Sequence, residues 1–117
     1  MVNNILFKSA AFCTAYQIAA LFYLQPHPSY TLFLLGGCST SLLNHGTTNR
    51  HIQLLDRSYM LLGVPMTFLI APNPYLKVAP VLAALLYLLG KYQEHHIYHV
   101  AAHILISTAN ICICYWL

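Results

Sequence analysis

N-I-L-F-K-S-A-A-F-C-T-A-Y-Q-I-A-A-L-F-Y-L, residues 4–24, is an apolar run holding a single charge. The hydrocarbon core of a bilayer is crossed by about 20 such residues in helical form. Gln25-Pro26 then breaks the run, because the residue before proline is driven out of the helical region. A cleaved signal peptide is the competing reading. No cationic segment leads into the run and no small-residue cleavage site precedes the break, so a retained membrane helix is expected.

The rest of the chain repeats this character. Of 117 residues, 59% are hydrophobic and 6% charged, against about 25% charged in soluble domains. Lys8, Arg50, Asp56, Arg57, Lys77, Lys91 and Glu94 are the whole ionic complement, too few to cover a water-facing globule. The fold class expected is an all-α membrane protein, one domain over residues 1–117. After the first span, helices are predicted over 30–45, 52–71, 75–92 and 95–117. Breaks fall at Q-P-H-P-S (25–29), G-T-T-N-R-H (46–51, with Thr47, Thr48 and Asn49 as N-cap candidates) and A-P-N-P (71–74). Pro65 is expected to kink the third helix, and Pro80 lies inside the fourth. Gly36 and Gly37 read as a place where neighbouring backbones approach closely. Tyr115-Trp116 reads as an interfacial anchor.

Five spans put Lys8, Arg50, Arg57 and Lys91 on one side, cytosolic by the positive-inside rule, and Lys77 on the other. The scattered basic residues form no patch, which excludes nucleic acid as a partner. Cys13, Cys38, Cys112 and Cys114 lie in apolar runs and are read as plain hydrophobes without disulfides.

Two stretches stand out against this background. S-L-L-N-H-G-T-T-N-R-H-I-Q-L-L-D, residues 41–56, holds a hydroxyl, an imidazole and a carboxylate at the border of two apolar segments. H-H-I-Y-H-V-A-A-H, residues 95–103, places His99 and His103 one helical turn apart, the same spacing as Ser41 and His45. The topology puts His45, Asp56 and His99 at one end of the bundle. Three imidazoles with an open fourth position are a catalytic zinc set, and zinc brings its water to a pKa near 7. Asp56 could then serve as general base, and Ser41 as hydrogen-bond donor to an oxyanion. Bland readings stand beside these. A membrane histidine can simply bond a neighbouring helix, and Asp56 can pair with Arg50 or Arg57. His95, His96 and Glu94 read as a solvated helix start, His51 as part of the loop, and His27 as lying at the opposite end.

At these residues the sequence resembles the alkaline ceramidases and, more widely, the CREST superfamily of membrane hydrolases, which includes the adiponectin receptors. The shared pattern is Ser-x3-His, an Asp eleven residues on, and a distant His-x3-His. Here these are Ser41, His45, Asp56, His99 and His103, with H-x-T at 45–47, Q-L-L-D at 53–56 and H-I-L at 103–105. The match covers residues 37–57 and 99–106. The resemblance implies zinc held by the three histidines, Asp56 and Ser41 assisting an activated water, and hydrolysis of a lipid amide or ester. The family has seven helices where this chain has room for about five. The acidic N-terminal calcium site of ceramidases has no counterpart, since no Asp or Glu precedes Asp56.

The function expected is therefore a zinc-dependent intramembrane lipid hydrolase, acting on a sphingolipid or acyl lipid, with an endoplasmic-reticulum or Golgi setting in a eukaryote. One alternative is a non-catalytic, zinc-stabilised subunit or receptor-like module. There the missing spans leave an open bundle whose exposed faces meet a partner or a second copy. Another is a haem held by His45 and His103.

Overall fold

The computed structural model describes residues 4–93 and 96–116, all in helices and short connections. Five helices follow one another: α1 (Asn4–Leu24), α2 (Pro28–His45), α3 (Arg50–Ile70), α4 (Pro74–Gln93) and α5 (His96–Trp116). Among the described residues there is no strand. The starts of α2, α3 and α4 lie one to two residues before the sequence expectation. The start expected at His95, the end at Leu117 and the role given to Glu94 fall outside the described residues.

The boundaries have local causes. Gln25 takes a left-handed φ of 46° and its N–H closes on Leu21 O at 3.0 Å, which ends α1 ahead of Pro26. His27 caps α2, its Nδ1 accepting from Ser29 N at 3.2 Å, with Pro28 at the first helical position. Of the three cap candidates for α3, Asn49 is the one used. Its Oδ1 accepts from His51 N at 2.9 Å and Ile52 N at 3.4 Å. This draws His51 out of the expected loop into the first turn of α3. Asn73 caps α4 in the same way, accepting from Leu76 N at 2.9 Å. At that end Lys77 Nζ donates to Phe68 O at 2.7 Å, so a cation meets the last carbonyls of α3.

Each helix packs against its neighbours in sequence, and α5 packs against both α4 and α1. The five therefore close into a ring rather than the open bundle that a shortened chain suggested. Neighbours in chain order are antiparallel. With an odd number of helices one seam must be parallel, and it is α1–α5, where Ser9 meets His103 and Gln17 meets Asn110. The buried residues of α1, Leu6, Ala10, Cys13, Gln17 and Leu21, repeat at intervals of three and four along this seam.

The ring is small and polar inside, bulky and apolar outside. Ala10, Cys13, Cys38, Ala83, Ala102 and Ala109 are buried, together with the polar Gln17, Asp56, Thr67 and Ser107. Phe22, Tyr23, Leu61 and Leu69 are among the bulky residues facing outward, with Phe22 81% exposed. Three helices, α1, α4 and α5, are long and apolar enough to cross a membrane. α2 and α3 are more polar: α3 carries Arg50, Arg57 and Asp56, and α2 carries four Ser or Thr between Ser29 and Thr40.

The α2–α3 contact departs from the expected close approach of backbones. The ring of Tyr59 lies over Gly36 and Gly37, and Phe33 lies over Gly63 in return. The two aromatic rings stack at 5.5 Å and the Tyr59 hydroxyl donates to Phe33 O. The glycines are notches for a side chain, with two helices exchanging an aromatic each. At one end the ring is plugged by Leu21, Tyr30, Leu34, Ala71, Ile113 and Cys114, with Leu76 packed against them, so every helix contributes at or beside its terminus. Ile113 is fully buried. The candidate site lies at the other end.

Candidate metal centre and cavity

His45 is the last residue of α2, and His99 and His103 occupy the first two turns of α5. The ring brings these three together. One nitrogen from each lies within 4.8 Å of the other two, and all three residues are half-buried. Ring centroids are 5.0 Å apart for His45–His99, 4.9 Å for His45–His103 and 4.6 Å for His99–His103, each pair edge to face. Nitrogens bound tetrahedrally at about 2.0–2.1 Å lie about 3.3 Å apart. The trio thus fits such an ion after an inward shift of about 1.5 Å or less. The donor chemistry suits zinc, since the set is three neutral imidazoles. A porphyrin between His45 and His103 does not suit this arrangement, because His99 lies within 5.0 Å of both and fills the plane a macrocycle needs.

Two of the three rings are held by residues that the sequence motifs did not mark. Ser9 of α1 forms a 3.1 Å hydrogen bond with His103 Nδ1, which leaves Nε2 as the ligating nitrogen. Tyr87 of α4 meets His99 edge-on, with centroids 4.9 Å apart and planes at 89°. A hydrogen bond such as that of Ser9 orients a ligand histidine, and the Tyr87 contact restrains the plane of the His99 ring.

Asp56 sits in the second turn of α3, 5% exposed. Among the described residues no close salt bridge joins it to Arg50 or Arg57, although the Arg57 charge on the same helix acts on it. Its Oδ2 accepts a 2.7 Å hydrogen bond from Asn44 Nδ2, one residue before His45 on α2. Nothing in the spacing pointed to Ser9, Asn44 or Tyr87, since each acts on a residue of another helix, across α1–α5, α2–α3 and α4–α5 respectively.

Beneath the histidines the ring encloses a cavity of about 160 Å³. Ser41, Asp56, His99 and His103 line its upper part, and Cys13, Met60, Val64, Ala84 and Ile106 are among its mostly apolar walls. Four of the five residues singled out by sequence therefore face one cavity, and the fifth, His45, joins through its contacts with His99 and His103. His51 and His96 are exposed on the first turns of α3 and α5. His27, at the plugged end, serves as a helix cap.

Compared with protein-family models, with curated proteins and with solved structures, the chain matches none. The functional reading accordingly rests on the residues and their geometry.

Proposed function

We propose that this chain is a multi-pass membrane hydrolase that cleaves a lipid amide or ester with the help of zinc, in the manner the alkaline ceramidase resemblance implies. Five membrane-spanning helices are supported by the inverted distribution of side chains, bulky apolar groups outward and small or polar ones inward. A helix of 21 residues such as α1 is about 31 Å long, which matches the hydrocarbon thickness of a bilayer. The observation that carries the catalytic reading is the convergence of three histidine nitrogens within 4.8 Å beside a buried carboxylate held by Asn44.

His45, His99 and His103 would hold the zinc, and zinc supplies a water acidic enough to act near neutral pH. The remaining work belongs to the chain. Asn44 holds Oδ2 of Asp56 and Thr40 also bonds the carboxylate; so oriented, Asp56 takes the proton of the attacking water and returns it to the leaving nitrogen or oxygen. Ser41, lining the same cavity, donates a hydrogen bond to the carbonyl oxygen as its charge develops. Ser9 orients His103. The apolar walls keep bulk water from competing.

Purified protein should contain about one zinc per chain by elemental analysis. His103→Ala should lose it, and Asp56→Asn should keep it while losing hydrolysis of ceramide and lysophospholipid probes. Metal-free protein whose stability is unchanged by His103→Ala would sink the zinc reading. Retained turnover in Asp56→Asn would remove Asp56 from the chemistry.

A further inference from the structure

At its far end the cavity below the histidines meets hydrogen-bonded amides set beside Phe33 and Leu34. Gln17 Nε2 donates to Ser107 Oγ at 3.1 Å and to Cys13 O at 3.2 Å. Asn110 Nδ2 donates to Gln17 Oε1 at 2.9 Å, and Tyr30 Oη donates to Asn110 Oδ1 at 3.4 Å. Gln17 and Ser107 are buried, and among the described residues no buried polar side-chain atom lacks a partner. Below this layer lies the hydrophobic plug. Gln17, Ser107 and Asn110 all line the cavity.

We propose that Gln17, Ser107 and Asn110 form a polar stop that limits the apolar chain admitted beneath the histidines to about eight carbons. This rests on the hydrolase reading for the identity of the ligand as an acyl chain. Two measures set the length. From His103 to Asn110 is seven residues of α5, about 10 Å of rise. Carbon–carbon bonds of about 1.5 Å in a zigzag cover that distance in about eight steps. The cavity volume of about 160 Å³ compares with an apolar cavity of about 150 Å³ that takes one benzene, about six carbons. A longer chain must either break buried hydrogen bonds without replacing them or leave its end outside the ring. The class of substrate selected is a lipid whose acyl group is short, or one that presents a short arm beside the scissile bond.

The test uses full-length protein in mixed micelles, with fatty acids of four to sixteen carbons at equal mole fraction and unfolding temperature as readout. Stabilisation should rise to about eight carbons and stop, with apparent binding at least about tenfold weaker at sixteen. Gln17→Leu should move the break to longer chains, and Ala84→Leu, which fills the cavity wall at a half-buried position, to shorter ones. Stabilisation that keeps rising to sixteen carbons, no stabilisation at any length, or a break that neither variant moves would overturn the stop. Hydrolysis of ceramides with six to sixteen acyl carbons is measured in parallel. A length break without hydrolysis leaves the stop standing and fails the hydrolase. Equal turnover of all lengths fails the stop and leaves the hydrolase.

Discussion

Asn44→Leu probes the heart of the site, because the Asn44 amide is the partner that holds Asp56. The bond runs from Nδ2 to Oδ2 at 2.7 Å, and the carboxylate is 5% exposed. Hydrogen bonds to a charged group contribute about 1.5–3 kcal/mol, and removing one partner leaves the other desolvated. Leucine is close to asparagine in size and adds helix propensity of a few tenths of a kcal/mol, which offsets little. The expected loss is about 2 kcal/mol, a factor of about 30 in the folding equilibrium. The loss should depend on the charge. In an Asp56→Asn background the same Asn44→Leu change should cost about 1 kcal/mol or less, since only a neutral hydrogen bond is removed. A double-mutant cycle by detergent unfolding should therefore give a coupling energy of about 1 kcal/mol or more. If Asn44→Leu is neutral within 0.5 kcal/mol, roughly the error of such cycles, Asp56 draws its support from elsewhere and its proposed orientation as a base fails.

Two further outcomes follow from the geometry. Ser9→Ala should weaken zinc affinity by about 10-fold or more, because the hydrogen bond on His103 Nδ1 is lost while all three ligands remain; competition with a chelator of known affinity checks it, and unchanged affinity removes Ser9 from the orienting role. Gly36→Ala should destabilise by about 1–2 kcal/mol, since its Cβ would sit 2.6 Å from Tyr59 Oη, which is pinned by its bond to Phe33 O. Gly37→Ala, whose Cβ would lie 3.3 Å from the same ring, should be nearly neutral, and Tyr59→Phe should relieve part of the Gly36→Ala cost in thermal unfolding.

The five helices were legible because proline pairs and polar turns punctuate a chain that is otherwise apolar. Asn49 was among the expected caps for α3, and the correct one could not be chosen because Thr47, Thr48 and Asn49 are all good acceptors. His45, Asp56, His99 and His103 announced themselves as polar groups at helical spacing in an apolar setting. Ser9, Asn44, Tyr87 and Gln17 did not, for a common reason. Each exerts its effect on a residue twelve or more positions away, across a contact between two helices: α2–α3 for Asn44, α4–α5 for Tyr87, and the closing α1–α5 seam for Ser9 and Gln17. A compact five-helix domain was expected, and the open bundle belonged to the alternative in which the missing spans of a seven-helix relative leave faces exposed. The small residues Ala10, Cys13, Ala102 and Ala109 let five helices meet around a narrow interior where larger ones would have held them apart.

The parallel α1–α5 seam also sets an order of events during synthesis. α1 is made with Gln17 on the face that α5 will cover, and until Ser107 and Asn110 arrive about 90 residues later its amide has only Cys13 O, one turn back in the same helix, as a partner. At 5–20 residues per second that wait lasts on the order of 5–20 seconds, with the Gln17 side chain only partly hydrogen-bonded. The last helix therefore delivers in one event the histidine pair, the seam and the remaining partners of Gln17.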